Sequence, residues 1–194
     1  MACIHVEGNV SLIESKKRQS LAVKKIVTTC VESSQEVNLC NFHLTELPED
    51  VFLLLRSNKV KTFDVAENFL SILPIQVTTM TNLTTLNVSS NRLSALPREL
   101  VHCQQLTTVD ISVNNFVQIP PVLLELNSIS EINAKNNFIT EVNDEELENI
   151  ASLEVVNLES NPLSSHCHDK LQRVDRVRIT ISERKFEEWE DLSI

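Results

Sequence analysis

Three groups of residues in this sequence have the types and spacing that a metal-binding or catalytic site would need. His166–Asp169 reads His-Cys-His-Asp, four metal-ligand types in a row. Cys40 and His43 lie close enough in sequence for a thiol–imidazole pair. Asp64 and Asp110 are candidates for the two carboxylates of a hydrolytic pair. What each group can do depends on the secondary-structure elements that hold it.

The composition excludes several function classes. The chain has 194 residues, enough for one domain with a core, and a formal net charge of −10, which argues against nucleic acid or an anionic membrane surface as the main partner. Gly8 is the only glycine, so a P-loop or a dinucleotide-binding glycine fingerprint is excluded. No apolar run is long enough for a membrane span.

The cysteines and the first residues indicate the cellular setting. Five cysteines are spread widely with no CxxC pair, which is typical of reduced thiols rather than a disulfide framework. The opening segment, MACIHVEGNV, lacks the basic start and apolar run of a secretory signal. We therefore expect a cytoplasmic protein, with nuclear entry left open.

Asparagines recur along the chain at a nearly fixed interval. Asn68, Asn91, Asn114, Asn137 and Asn161 are separated by 23, 23, 23 and 24 residues. The surrounding text repeats as well: LTTLNVSSNRLSALP at 83–97 aligns with LTTVDISVNNFVQIP at 106–120. A fixed period of this length indicates a stacked repeat architecture.

This pattern resembles the leucine-rich repeat, L-x-x-L-x-L-x-x-N-x-L-x-x-L-P, of the 23-residue intracellular type, over residues 34–163. The resemblance implies an α/β solenoid of about six repeats in a single structural domain. A curved parallel sheet would form its concave side, and short helices or turns its convex side. It also implies a scaffold or adaptor without catalysis. Small solenoids of this family with a helical lead-in are similar in length.

The residue spacing favours the same architecture on physical grounds. The alternation of Leu83, Leu86 and Val88 predicts a short strand with one buried face. Asn91 follows where the chain turns, and its amide can satisfy backbone groups of neighbouring coils. We expect the five repeat asparagines to be structural. The first unit, residues 37–48, is irregular because Phe42 stands where the asparagine belongs.

Residues 1–33 are predicted to form a helical cap over the first coil. Val23, Ile26, Val27 and Cys30 have the spacing of an amphipathic helix. Basic residues from Lys16 to Lys25 lie on the other face, which we interpret as solvated, with a nuclear-import patch or membrane contact as the alternative.

Residues 164–194 are predicted to form a C-terminal cap and acidic tail. Ser164 or Ser165 can cap a short helix, and residues 176–182 (RVRITIS) can add an edge strand. We expect Phe186 and Trp189 to pack back on the last coil. The alternative is an acidic peptide that another protein recognises.

The outward residues of the strands are predicted to form a polar, mildly acidic concave face. Four aligned columns of side chains contain six acids and one base, Lys135. A partner with a basic or hydrogen-bonding surface would complement them. Phe69 and Phe138 are candidate anchors, or simply pack at the rim. The candidate partner-binding residues are Asp64, Glu67, Phe69, Asn87, Asp110, Glu131, Asn133, Lys135 and Phe138.

None of the three candidate groups named at the start is predicted to be a catalytic or metal site. The His166–Asp169 cluster has no second ligand pair at a suitable distance, and neighbouring acids would raise the pKa of Cys40. Asp64 and Asp110 would lie on an open surface with no pocket to exclude water. We predict no catalytic residue, no metal site and no cofactor.

The predicted function is therefore a non-catalytic, monomeric, intracellular protein-interaction module that binds another protein, not nucleic acid, on its concave face. The alternative is a regulatory or inhibitory subunit of an enzyme such as a phosphatase or GTPase. The identity of the partner is not encoded in these patterns.

Overall fold

The structure, a computed structural model, describes Val23 and residues 35–55 and 60–183. Within them, seven three-residue strands form one parallel sheet in chain order. The strands are β1 (Glu36–Asn38), β2 (Thr62–Asp64), β3 (Thr85–Asn87), β4 (Thr108–Asp110), β5 (Glu131–Asn133), β6 (Val155–Asn157) and β7 (Arg178–Thr180). This arrangement confirms the predicted leucine-rich repeat solenoid.

The convex side consists of short helices between the strands. These are α1 (Glu49–Leu55), two 3₁₀ helices (Ile75–Thr79 and Arg98–His102), α2 (Pro121–Leu124), α3 (Asp144–Asn149) and α4 (Ser165–Leu171). Prolines immediately precede both 3₁₀ helices and α2, where an extended residue needs no ladder donor. The Ser164 side chain caps α4 by accepting a hydrogen bond from the Cys167 N–H.

The core runs the length of the solenoid, between the sheet and the convex elements. The central residue of each strand from β1 to β6 is fully buried, as Phe63, Leu86 and Val109 illustrate. The register aligns these residues across the sheet, so each coil covers the apolar face of its neighbour. One coil alone could not bury this face, and the stack supplies the stability.

The predicted N-terminal helix and C-terminal tail lie mostly outside the described residues. Of the apolar stripe, only Val23 is described; it is helical and buried against the core. The basic residues from Lys16 to Lys25, and Phe186 and Trp189, lie outside. At the C-terminal end of the described sheet, β7 pairs in parallel with β6.

Candidate functional site

The repeat asparagines form a hydrogen-bonded ladder between coils. In Asn114, Nδ2 donates to Ile111 O at 3.1 Å and Ser112 O at 3.0 Å in its own coil, and to Val88 O at 3.0 Å in the preceding coil. Its Oδ1 accepts from the Leu93 N–H at 2.9 Å. The amide therefore satisfies backbone groups that the turn would otherwise leave unpaired in the interior.

The same arrangement recurs in the other four repeat asparagines: Asn68, Asn91, Asn137 and Asn161. Each bonds to its own coil and to the preceding one. In the first coil, where Phe42 occupies the equivalent place, Asn68 accepts from the Phe42 N–H at 3.1 Å and from the Leu44 N–H at 2.8 Å. The ladder holds the strand ends in register, which fixes the face beside them.

The central column of the concave face runs from Asn38 to Asn157 and ends in Thr180. The Asn and Asp side chains of this column accept hydrogen bonds from the backbone of their own coil. Oδ1 of Asp64 accepts from the Ala66 N–H at 2.9 Å, and Oδ1 of Asp110 accepts from the Ser112 N–H at 2.8 Å. Asparagines at the equivalent positions make the same contact with the residue two further on.

These contacts give the predicted binding residues a second role, as caps of the strand ends. Asp110 also accepts from the Ser112 hydroxyl at 2.6 Å, and its Oδ2 accepts from Asn133 Nδ2 at 2.8 Å. A lysine at Asp64 or Asp110 would remove the cap as well as the charge. An asparagine would remove the charge and keep the acceptor, as Asn87 does in the coil between them.

The other acids of the face differ in what they contact. Glu67 and Glu131 are exposed, and Glu159 forms an ion pair with Lys135 at 2.7 Å. The one base in the four predicted columns is therefore already paired. Arg178 of β7 extends the column that contains Glu131, which places positive charge at that end of the sheet.

The two candidate aromatic anchors lie in different surroundings. Phe69 is 41% exposed; its ring stacks on His43 with centroids 5.8 Å apart, and the Arg92 guanidinium lies 4.9 Å from its centroid. Phe138 is 57% exposed. Phe69 is thus held by its neighbours, whereas Phe138 presents more of its ring to an approaching molecule.

The candidate metal ligands of the His166–Asp169 cluster do not come together as a site in the part of the chain that the structure describes. No three His, Cys, Asp or Glu side chains there are grouped as metal ligands. Cys167 and His168 point inward: Cys167 Sγ lies 3.3 Å from Val142 N, and His168 Nε2 lies 3.0 Å from Ser182 O.

The thiols have the pKa shifts expected of unreactive cysteines. Burial, together with the carboxylates of Glu67 and Asp64, raises the pKa of Cys40. Burial raises the pKa of Cys103 to about 11 and also raises the pKa of Cys167. A raised thiol pKa lowers the thiolate population, which disfavours nucleophilic chemistry.

Several exposed apolar residues were not among the predicted site residues. Ile72, Val113 and Val117 are 74%, 43% and 65% exposed, and all three lie in the loops that follow the strands. Their repeat positions placed them outside the buried apolar columns. Apolar residues outside the buried columns were therefore visible in the sequence. The sequence did not show that the loops carrying them share one edge of the solenoid.

No helix in residues 35–55 or 60–183 is both long and apolar enough to cross a membrane.

Comparison with known proteins agrees with the geometry. The Leucine Rich Repeat family model matches residues 82–103. A leucine-rich repeat protein of Leptospira interrogans shares 26% sequence identity and a TM-score of 0.62, over 71% of this chain and 34% of that one. No curated protein matches the sequence.

Two further solved structures share the fold. An internalin from Listeria monocytogenes has 18% identity and a TM-score of 0.61, over 81% of this chain and 45% of that one. The leucine-rich repeat domain of APL1B has 21% identity and a TM-score of 0.58, over 84% of this chain and 45% of that one. The chain thus spans less than half the length of these three proteins.

The fold is therefore a leucine-rich repeat solenoid. This class of fold presents an extended curved surface of the kind that protein partners use.

Proposed function

We propose that this chain is a non-catalytic scaffold or adaptor that works inside the cell and binds a protein partner on its concave face. The observation that supports this proposal is the alignment of small polar and acidic side chains in columns across β1 to β6. The partner presents a basic or hydrogen-bonding surface to these columns.

Preorganisation is the physical basis of binding at this face. Asp64, Asn87 and Asp110 are already held by hydrogen bonds to the backbone two residues further on. Because these side chains are ordered before the partner arrives, binding loses less side-chain entropy than at a flexible surface. The Oδ2 of Asp64 has no hydrogen-bond donor among the described residues, so it is available to a cationic group.

Charge and exposed aromatic surface determine what the face selects. Glu67 and Glu131 are exposed acids, and the pairing of Lys135 with Glu159 leaves them uncompensated by that base. Phe138 supplies the more accessible anchor at the rim. Lys135 and Asn133 lie nearby and would contact the same partner.

The proposal is tested by affinity capture with two variants of equal net charge. One variant neutralises four concave acids: Asp64→Asn, Glu67→Gln, Asp110→Asn and Glu131→Gln. The matched control neutralises four exposed acids elsewhere: Glu49→Gln, Glu99→Gln, Glu148→Gln and Glu154→Gln. Proteins retained by the wild type and the control but lost from the concave variant support the proposal. Equal capture by both variants contradicts it.

Several finer attributes belong to the same proposal. The chain acts as a monomer in the cytoplasm, with entry to the nucleus open, and without a metal, cofactor or nucleic acid. A regulatory subunit of a phosphatase or GTPase would use the same face, and co-purifying enzyme activity would distinguish it from a passive adaptor. A closer resemblance to leucine-rich repeat-containing protein twenty rests on length and the predicted helical lead-in, and stays a prediction.

A further inference from the structure

The convex helices of the first four coils pack on one another in succession, and this packing then stops. α1 packs on the first 3₁₀ helix, which packs on the second, and the second packs on α2. Between α2 and α3 there is instead a cleft of about 680 Å³, lined by residues of both helices and by Lys170 of α4. This cleft lies away from the strands that form the concave face.

The cleft arises where the repeat departs from its pattern. The coil of β4 continues into Pro120 and Pro121, whereas the next coil has Asn143 at the proline position. Asn143 caps α3: its Oδ1 accepts from the Glu145 N–H at 3.1 Å and its Nδ2 donates to Glu146 Oε1 at 3.0 Å. The helix that begins there is short and acidic, and the cleft separates it from α2.

A second cleft continues the first. It has a volume of about 530 Å³ and shares Gln118 and Pro121 with its neighbour. Ala95 and Pro121 contribute exposed apolar surface to its lining, and Arg98 and Glu125 contribute one charge of each sign. The two clefts together form an open groove across successive coils, which are about 5 Å apart at ordinary strand spacing.

The two ends of this groove differ in charge. At the α3 end, the lining has four acids, Glu141, Asp144, Glu145 and Glu146, and one base, Lys170, whose Nζ lies 3.7 Å from Asp144 Oδ1. At the other end the charges balance and apolar surface is present. An apolar occupant over the α3 end would desolvate carboxylates without compensation, so the occupant must supply cations there.

We propose that this groove is a second docking site, which takes an extended peptide segment of a partner protein. The segment places Lys or Arg side chains at Glu141 and Glu145 and an apolar side chain near Ala95 and Pro121. This proposal goes beyond the proposed concave-face function, because loops and convex helices form the groove and the strands do not. One molecule can therefore hold two partners, or two parts of one partner.

Two sets of fluorescein-labelled peptides test this site. The first set carries Lys or Arg at one end and Leu or Phe at the other, and the second has Glu in place of each base. Fluorescence anisotropy gives affinity, and backbone amide shifts in ¹H–¹⁵N spectra locate the contact. We expect the basic set to bind and to shift the amides of Gln118, Val142 and Glu145.

Matched variants separate groove charge from overall charge. Glu141→Gln with Glu145→Gln should weaken binding of the basic set about three- to tenfold, as expected from the loss of two solvent-exposed ion pairs. Glu99→Gln with Glu154→Gln removes the same charge elsewhere and should leave binding unchanged. The proposal is overturned by an absence of binding, by equal binding of the acidic set, by equal loss in both variants, or by shifts confined to β1–β6.

The concave variant keeps the two docking sites distinct. The chain with Asp64→Asn, Glu67→Gln, Asp110→Asn and Glu131→Gln retains the groove and should bind the basic peptides as the wild type does. If it loses them, the groove proposal fails; if it retains them while captured proteins are lost, both proposals stand.

Discussion

At the scale of single residues, a chain with one glycine must close its coils with residues that carry a Cβ. Among the described residues, positive φ occurs at Asn41, His43, Glu67, Ser90, Val113, Asn136 and Ser160. Six of these seven precede the repeat-asparagine position directly. The left-handed conformation costs an ordinary L-residue about 1–2 kcal/mol, so each coil carries this strain beside its asparagine ladder.

Val113 is the least suited of these residues, because a β-branched side chain at a φ of 54° is sterically crowded. We predict that Val113→Asn raises the free energy of unfolding by about 1 kcal/mol. Asn41 and Asn136 already occupy the equivalent position. Urea denaturation would measure the gain, with Val117→Asn, an exposed valine without positive φ, as the control. Unchanged or lower stability in Val113→Asn would refute the strain argument.

Cys103 gives a prediction for the pH dependence of stability. Burial raises its pKa from 9.0 to about 11, so the folded state holds the proton more tightly than the unfolded state does. The stabilisation from the neutral thiol is complete below pH 9 and is lost as pH rises towards 11. Wild type should therefore lose stability more steeply than Cys103→Ala across this interval. The free energy of unfolding of both proteins would be measured by urea denaturation at each pH. If the two values fall in parallel as pH rises, the burial effect is contradicted.

At the scale of elements, Arg176 connects the last described coil to α3 through hydrogen bonds. Its guanidinium donates from Nη2 to Leu147 O at 2.9 Å and Ile150 O at 2.5 Å, and from Nη1 to Ala151 O at 3.3 Å. These carbonyls lie at the C-terminal end of the helix, where positive charge also interacts favourably with the helix dipole.

We predict that Arg176→Ala destabilises the chain by about 1–2 kcal/mol and shifts the amide resonances of α3. Arg173→Ala removes an exposed arginine of the same segment and serves as the control. Comparable loss in both variants would mean that general charge, rather than the cap, stabilises this end.

The elements also show which features sequence can predict. The strand register follows from the 23-residue period, because aligning the repeats is enough to place Thr62, Thr85 and Thr108 in one column, as the sheet has them. The cleft between α2 and α3 was not predictable in this way. It forms because the packing seen between the preceding convex helices is missing here. A repeat pattern predicts the contacts that recur from coil to coil, but it does not predict where one of them is absent.

At the scale of the whole molecule, one scaffold presents surfaces of different character on its two sides. The concave face is polar and held in place by strand-end hydrogen bonds, whereas the convex groove combines acids with apolar surface. Both depend on the stacking of coils, since neither surface exists in a single repeat. The asparagine ladder, which bonds each coil to the preceding one, therefore supports both surfaces.

Hydrogen exchange of the asparagine side-chain amides, followed by NMR, tests that ladder most directly. We predict slow exchange of the Nδ2 protons of Asn68, Asn91, Asn114, Asn137 and Asn161, because each side chain bonds to backbone carbonyls in two coils. Asn115, the exposed neighbour of Asn114, should exchange rapidly. Exchange of all six side chains at the same rapid rate would contradict the stacked-coil account.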